Sequence, residues 1–307
     1  MIEQSWNYAN VPPKTLNVSG TLSSGQCFRW RVTEVGEWRG VIEDLFVRIK
    51  PGANGFFWQT YPEPNQWQGL YDYFRMDVDL AGLIENWCER DPESTKCFRQ
   101  NAGMRILNQP PREAFFSFLC ASNNSIMKIR KSVSRLAERA GTLITEFEGQ
   151  TYHRFPDATE LLGVSVADLR SDMWGFRAPR VVAMAEFLSN ETDWLHGLRA
   201  LPYVDAHGKL TELFGIGAKL ADCIALFGLG FDAAVPVDTH IRQIGLRKFG
   251  PQTGAKSLTA NEYTAVAGRF RDLYGPYAGW AQQYLFFDEL NTSTTQNKMA
   301  ISPKTAA

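Results

Sequence analysis

Hydrophobic and polar positions follow two different patterns along the chain. From residue 14 to about residue 61, aromatic and β-branched residues occur in short runs that are separated by Gly, Pro and Asn. This pattern is typical of antiparallel strands joined by hairpins. After Pro64, apolar residues recur at spacings of three and four, as in Leu70, Tyr73 and Phe74, which is the spacing of one helix face. The chain is therefore predicted to begin with strands and to continue with helices.

Helical spacing continues through most of the remaining chain. The predicted helices span residues 111–120, 126–140, 178–188, 209–214, 218–227, 239–249, 260–274 and 276–290. The fold class is therefore α+β, with an N-terminal antiparallel sheet domain that includes some helices (1–110) and an all-helical body (111–290). Residues 291–307 offer little apolar surface to bury, so we expect a flexible tail there.

Composition places the chain among folded soluble proteins. Its 307 residues are 44% hydrophobic and 21% charged, which fits about two domains. The longest apolar run is far shorter than the roughly 18 residues that a membrane-spanning helix needs, and the first residues lack a basic start followed by an apolar segment. We therefore expect neither a membrane protein nor a secreted one.

The cysteines, the histidines and the net charge limit the kinds of site and ligand that we expect. The five cysteines and four histidines are scattered without the spacing of a disulfide framework or a zinc site, so we expect neither. The net charge of −1 gives no general support for nucleic-acid binding. Basic residues do cluster at 128–139 and 242–248. Such clusters would either follow phosphates or be ordinary solvated helix faces.

Two glycines mark the most informative turn in the chain. Gly215-Ile-Gly217 separates the predicted helices 209–214 and 218–227, which together form a helix-hairpin-helix near 209–227. Glycines permit a sharp turn that exposes backbone amides at a helix start, where a phosphate can bind. By itself the pattern is also compatible with a purely structural turn.

Chemistry-bearing residues follow this turn. Lys219 lies in the first turn of the second helix. The positive end of the helix dipole disfavours a protonated lysine there, and a neutral lysine amine can form a Schiff base. Cys223 lies on the same helix face. Asp238 follows Pro236 at a predicted helix start, where it is either a helix N-cap or a carboxylate facing positive charge on a sugar. For Lys219 the alternative is a solvated surface residue.

Four separated motifs carry a family resemblance. They are Ser-Gly-Gln-Cys-Phe-Arg-Trp at 24–30, Phe-Ser-Phe-Leu-Cys-Ala-Ser-Asn-Asn at 116–124, Gly-Ala-Lys-Leu-Ala-Asp-Cys-Ile at 217–224 and Gly-Trp-Ala-Gln at 279–282. Together with Val-Pro-Val-Asp ending at Asp238, they resemble the 8-oxoguanine DNA glycosylase/AP lyase branch of the helix-hairpin-helix DNA glycosylases. The resemblance implies a two-lobed helical body and an enzyme that flips a damaged base out of double-stranded DNA.

The resemblance assigns the catalytic and base-binding residues. Lys219 matches the nucleophile that attacks C1′, forms an imine and permits β-elimination, and Asp238 matches the carboxylate that supports departure of the base. The remaining matches form the base pocket. Cys223 and Phe286 sandwich the flipped purine, Gln282 binds its Watson–Crick edge, and the Gly25 carbonyl accepts from the N7 hydrogen that distinguishes 8-oxoguanine from guanine.

The resemblance also assigns DNA contacts. Asn123 fills the space left by the flipped base, Phe176 is the wedge, Arg177 contacts the opposite cytosine, Gly215 and Gly217 form the phosphate-binding hairpin, and His240 contacts a phosphate. Taken singly, Asn123 could be a helix cap, Phe176 a core aromatic, Arg177 a solvated charge and His240 a polar residue at a helix start. The family usually has Arg at the position of Lys128 and Tyr at that of Phe176. We therefore expect a weaker grip on cytosine and a less strict preference for it opposite the lesion.

Cofactors, partners and alternatives complete the prediction. No cysteine follows Cys223, so the four-cysteine iron–sulfur loop of related glycosylases is absent; a monovalent or divalent cation at the hairpin carbonyls is the one expected ion. The expected partner is damaged double-stranded DNA, bound by a monomer in the bacterial cytoplasm (nucleoid) or the eukaryotic nucleus. The alternatives are a glycosylase of the same fold for another lesion or without lyase activity, and a non-catalytic DNA-binding module.

Overall fold

A computed structural model gives the fold and describes residues 5–251 and 257–301. The strands are β1 (Asn7–Ala9), β2 (Arg31–Val32), β3 (Trp38–Ile42), β4 (Leu45–Pro51), β5 (Phe56–Tyr61), β6 (Leu143–Phe147) and β7 (Gln150–His153). The first five strands form one antiparallel sheet in the order β1-β5-β4-β3-β2. The predicted N-terminal sheet is therefore confirmed. The β6–β7 hairpin lies in the part of the chain that we expected to be all helical.

Helices make up most of the rest of the described chain. They are α1 (Val18–Ser23), α2 (Trp67–Tyr73), α3 (Leu80–Arg90), α4 (Thr95–Gln100), α5 (Pro111–Ala121), α6 (Ile126–Ala140), α7 (Ala158–Leu161), α8 (Val166–Ser171), α9 (Ala178–Asn190), α10 (Trp194–Leu198), α11 (Tyr203–Thr211), α12 (Ala218–Ile224), α13 (Thr239–Phe249), α14 (Ala260–Tyr274) and α15 (Ala278–Ile301). A sheet followed by many helices confirms the α+β class.

Buried aromatic residues explain why the first sheet forms. Trp38 on β3 pairs with Ile49 on β4, which pairs in turn with Trp58 on β5, and all three side chains are buried in one core. Gly40 on β3 leaves room for the ring of Trp30, because a Cβ at this position would lie 2.4 Å from that ring. Cross-strand aromatic and β-branched pairs of this kind stabilise a sheet.

Several helix boundaries differ from the predictions; α12, for example, ends at Ile224 rather than at residue 227. The differences are largest for two helices. The helix before the hairpin is α11, which follows Pro202 and ends at Thr211, whereas we predicted residues 209–214. The last helix, predicted to end at residue 290, continues to Ile301. Helical backbone hydrogen bonds need no buried face, and a local bond from Thr292 Oγ1 to the Asp288 carbonyl (2.9 Å) adds to them. The rest of the predicted tail, 302–307, lies outside the described residues.

The chain divides into two compact units that do not follow its sequence order. The first unit contains the residues up to Asp79 and Gly103–Phe231, and therefore both sheets; the second contains Leu80–Ala102 and the chain from Asp232 onward. The second unit includes α3, α4, α13, α14 and α15. The predicted boundary at residue 110 separates sheet from helices, whereas this division groups α5 to α12 with the sheet. Within the described residues, no helix is long and apolar enough to span a bilayer.

A buried ion pair joins separate helices of the second unit. Lys248 Nζ on α13 lies 2.7 Å from Asp91 Oδ2 at the end of α3, and the hydroxyl of Tyr274 on α14 donates to the same carboxylate. Burial by itself would raise the pKa of Asp91, but the hydrogen bonds from Lys248 and Tyr274 outweigh it and hold that pKa below its usual value. The charged carboxylate is therefore stabilised by the fold.

Replacing Lys248 with Met is expected to lower the free energy of unfolding by about 3–5 kcal/mol at neutral pH, because it leaves a buried carboxylate without its cation. The Asp91 pKa is lowered in the fold, so the stabilising contribution is present above the unfolded pKa of about 3.9 and is lost as the pH falls through the folded pKa. Urea unfolding at several pH values measures both effects. The exposed Lys96→Met is the control, and an equal loss in both variants would contradict the prediction.

Candidate active site

The hairpin has the geometry that its glycines allow. Gly215 has a φ of +85°, a conformation that favours glycine, and the amide of Ile216 donates to the carbonyl of Leu213 at 3.1 Å. Gly217 is the N-cap of α12 with an extended backbone, and a Cβ there would meet nothing within 4 Å among the described atoms. Gly215 is therefore required by the turn, whereas Gly217 leaves the backbone approachable from outside.

Helix α12 carries Lys219 and Cys223. Lys219 is half-buried in its first turn, and Cys223 is buried. Asp222 attaches this helix to α11. Its buried carboxylate accepts a hydrogen bond from the hydroxyl of Tyr203 at 2.5 Å and lies 3.7 Å from Nε2 of His207. This anchor was missed in the sequence analysis; an aspartate three residues after Lys219 in an otherwise apolar helix was the available signal.

Asp238 begins α13 in the second unit. Its Oδ1 accepts from the amide of Ile241 at 2.9 Å, so the N-cap role is present in the structure. The preceding segment is held by the hydroxyl of Tyr263, which contacts the Val235 carbonyl and the Val237 amide, each at 3.3 Å. Capping fixes the position of the carboxylate and is compatible with a second, electrostatic role.

Helix α15 carries Gln282 and Phe286, two of the residues that were predicted to bind the flipped base. Phe286 is half-buried, and its ring centre lies 6.0 Å from that of His240 in an edge-on arrangement. Gln282 is 2% exposed, and within the described part of the chain its Oε1 has no hydrogen-bond partner. A buried acceptor without a donor costs free energy. This oxygen can therefore accept a hydrogen bond from a donor that lies outside the described chain.

The Gly25 loop belongs to the first unit. Gly25 has a φ of +83°, so this position also favours glycine. The next side chain, Gln26, is fully buried and donates to the carbonyls of Thr21 (3.1 Å) and Arg105 (2.8 Å), and its Oε1 accepts from the Leu107 amide at 2.8 Å. The loop that presents the Gly25 carbonyl is therefore rigidly held.

Asn123 and Arg177 are connected within the first unit. Asn123 is exposed with a φ of +50°. It is not the helix cap, because Ser125 caps α6. Arg177 is buried, and its guanidinium donates to the carbonyls of Ser122 and Asn123. Arg177 is therefore not a solvated charge; it holds the loop that presents Asn123.

Phe176 and Lys128 lie on the surface. Phe176 is 56% exposed, which excludes the core alternative, and Lys128 is exposed in the first turn of α6. The sequence analysis missed Arg180, whose Nη1 donates to the Gly215 carbonyl at 3.3 Å. An arginine in the first turn of α9, where the helix field disfavours a cation, was the signal that could have found it.

The predicted residues are distributed over both units. The first unit carries Gly25, Asn123, Lys128, Phe176, Arg177, Gly215, Gly217, Lys219 and Cys223, and the second carries Asp238, His240, Gln282 and Phe286. In the first unit, a lysine follows a hairpin turn and a rigid loop presents a carbonyl. In the second, a fixed carboxylate lies at the start of α13, and a buried amide oxygen with no partner in the described chain lies on the neighbouring helix α15.

Comparisons with known proteins show the family to which this chain belongs. The family model described as the 8-oxoguanine DNA glycosylase N-terminal domain matches residues 9–115. The chain is 34% identical to N-glycosylase/DNA lyase OGG1 of Arabidopsis thaliana, over 94% of this chain and 82% of that protein. It is 31% identical to a probable N-glycosylase/DNA lyase of Methanothermobacter thermautotrophicus, over 90% of this chain and 94% of that protein.

Solved structures of DNA glycosylases have the same fold as this chain. The 8-oxoguanine glycosylase/lyase of Clostridium acetobutylicum, in complex with double-stranded DNA containing cytosine opposite 8-oxoG, superposes with a TM-score of 0.82, 26% identity and coverage of 95% of this chain and 100% of that one. The 3-methyladenine DNA glycosylase of Archaeoglobus fulgidus shares the fold, with a TM-score of 0.71 at 18% identity over 94% of this chain and 99% of that one.

The fold thus defines a DNA glycosylase of the helix-hairpin-helix type. Within that class, the chain belongs to the N-glycosylase/DNA lyase family.

Proposed function

We propose that this protein removes 8-oxoguanine from double-stranded DNA and then cleaves the strand at the resulting abasic site, with Lys219 as nucleophile. The observation that carries the proposal is Lys219, which lies in the first turn of the hairpin helix of a chain that belongs to the N-glycosylase/DNA lyase family. Clostridium acetobutylicum 8-oxoguanine glycosylase/lyase, in complex with DNA, supports the choice of lesion.

The chemistry requires a neutral amine and a fixed carboxylate. The Lys219 nitrogen attacks C1′ while the glycosidic bond breaks, and the bonding electron pair leaves with the base, which takes up a proton. The attacking nitrogen loses a proton, and the ring C1′–O bond then breaks while its oxygen takes up a proton. The protonated imine that results permits removal of a C2′ proton and release of the 3′ phosphate by β-elimination. Asp238 stabilises the positive charge that develops on the sugar. Water then hydrolyses the imine and regenerates the amine.

Base recognition follows from the hydrogen-bonding groups. The unpartnered Oε1 of Gln282 would accept from the donors on the Watson–Crick edge of a purine, and Cys223 and Phe286 would contact its two faces. The Gly25 carbonyl would accept from N7–H, which 8-oxoguanine has and guanine lacks. Guanine would leave that carbonyl without a donor, at a cost of about 1–3 kcal/mol.

Recognition of the opposite strand rests on weaker features. Arg177 holds the Asn123 loop through backbone carbonyls, which supports a role for Asn123 as the group that would contact the opposite base. Lys128 offers a point charge where a guanidinium would bind a base edge at two points. We therefore propose that the lesion is excised fastest opposite cytosine and only modestly more slowly opposite the other three bases.

Borohydride trapping tests the function. A duplex with 8-oxoguanine opposite each of the four bases is incubated with the protein and reduced, and covalent protein–DNA adduct and released base are measured separately. We expect an adduct on the lesion and none on the undamaged duplex. Base release without an adduct would support a monofunctional enzyme, and neither product would direct the search to other lesions, with alkylated bases first because the fold is shared with an alkylbase glycosylase.

Ions, assembly and compartment complete the proposal. A cation would bind hairpin carbonyls other than that of Gly215. Arg180 already donates to the Gly215 carbonyl, and its positive charge would repel an ion at that carbonyl. We further propose that the protein acts as a monomer, without an iron–sulfur cluster, in the compartment that holds the genome.

A further inference from the structure

One guanidinium connects the hairpin turn to the loop that carries Phe176. Arg180 donates from Nη1 to the Gly215 carbonyl. Its guanidinium carbon lies 5.4 Å from the ring centre of Phe176 and 5.9 Å from that of Phe214. The contact with the hairpin is close, since a Cβ at Gly215 would lie 2.4 Å from Cδ of Arg180. We call Phe176, Arg177, Arg180, Phe214 and Gly215 the Arg180 cluster.

The cluster exposes two aromatic rings and carries uncompensated charge. Phe176 and Phe214 are 56% and 60% exposed. No carboxylate among the described residues pairs with Arg177 or Arg180. Burial lowers the pKa of Arg177, and the positive charge of Arg180 lowers it further. An anion at this surface would relieve that repulsion.

The two arginines differ in what their N–H groups contact. Those of Arg177 are directed inward, to the carbonyls of Ser122, Asn123 and Trp174. Arg180 is half-buried, and the one hydrogen bond that its side chain makes within the described chain is to Gly215. A guanidinium has five N–H donors in a planar fork, so most of the donors of Arg180 are available to a further acceptor.

We propose that Arg180 binds a phosphate of the DNA backbone, while the Gly215 carbonyl fixes the orientation of its guanidinium. This inference rests on the proposed function. A phosphate matches the donor fork of arginine at two points, and the rings of Phe176 and Phe214 lie beside the same guanidinium. Arg180 thus adds a side-chain cation to the backbone amides of the hairpin turn.

Salt-dependent binding tests the proposal. Affinity for an undamaged duplex and for one with 8-oxoguanine opposite cytosine is measured over a series of monovalent salt concentrations, for wild type, Arg180→Met and Arg180→Lys. The control is Arg31→Met, which removes one exposed positive charge from β2. All measurements are repeated in ion-exchanged, chelated buffer.

For Arg180→Met we expect weaker binding to both duplexes and a fall of about 1 in the slope of log affinity against log salt. Arg180→Lys should keep the wild-type slope, because it keeps the charge, but should bind several-fold more weakly because an ammonium cannot join carbonyl and phosphate in one plane. Arg31→Met should match wild type. The slope difference should persist in chelated buffer.

Three results would overturn the inference. The first is an unchanged slope in Arg180→Met, and the second is an equal loss of slope and affinity in Arg31→Met. The third is a slope difference that disappears in chelated buffer, which would assign the charge to a bound ion. The proposed function fails separately. If the wild type gives neither adduct nor base release, the function is wrong whatever the slopes show; if it excises the lesion while Arg180→Met keeps the wild-type slope, only the role of Arg180 is wrong.

Discussion

Lys219→Gln is expected to eliminate the borohydride-trapped adduct and strand cleavage at a pre-formed abasic site, and to slow base release at least about 1000-fold. The reason is that an amide nitrogen cannot form an imine, so both steps lose their nucleophile together. The measurements are adduct yield on denaturing gels and single-turnover base release from a duplex with 8-oxoguanine opposite cytosine.

The structure provides a matched control and a reason to expect a folded variant. Lys209 is an exposed lysine of α11, just before the hairpin, and Lys209→Gln should trap and cleave like wild type. Helix α12 is anchored by buried Leu220 and by the contact between Asp222 and Tyr203, which Lys219→Gln leaves in place. A wild-type adduct yield from Lys219→Gln would show that another amine is the nucleophile.

Asp238→Asn is expected to slow base release about 100-fold or more while leaving the free energy of unfolding within about 0.5 kcal/mol of wild type. Asparagine is as good an N-cap as aspartate, so its side-chain oxygen can still accept from the Ile241 amide. It carries no charge, however, and cannot stabilise a cationic sugar. Single-turnover kinetics and urea unfolding of the same preparation measure the two quantities.

Asp238→Ala separates the two roles of this carboxylate. It should lose catalysis to the same extent and, in addition, about 1 kcal/mol of stability through loss of the cap. Asp205→Asn, an exposed neutralisation in the first turn of α11, should change neither quantity. If Asp238→Asn released the base at the wild-type rate, Asp238 would be a structural cap only.

Local sequence predicted the elements whose signals lie within a few residues. Helices α6, α13 and α14 have the predicted bounds, because caps and apolar spacing mark both of their ends. The start of α11 after Pro202 and the length of α15 were not predicted. A proline before a helix, as at the start of α11, is also found in turns, and the Thr, Ser and Asn residues of α15 beyond residue 290 form no apolar face that would mark its end.

Contacts between distant segments account for what the sequence analysis missed. Arg105 is buried, although arginine is rarely so, because its guanidinium donates to the carbonyls of Thr15 and Val78, far from it in sequence. The hydrogen bond between Asp222 on α12 and Tyr203 on α11 likewise joins two helices, and that between Arg180 and Gly215 joins a helix to the hairpin turn. No periodicity within one helix reports such partners.

The sequence by itself determined the sheet-then-helix order, the hairpin with its positive-φ glycine, the lysine in the first turn of α12 and the capping aspartate of α13. Each of these depends on backbone geometry or spacing within a few residues. Only the tertiary structure decided that Arg177 is directed inward to carbonyls whereas Arg180 faces two exposed rings. It also decided that the Gln282 oxygen is buried with no donor among the residues that the structure describes. These properties depend on which segments the fold brings to the same place and on which polar atoms it thereby removes from water.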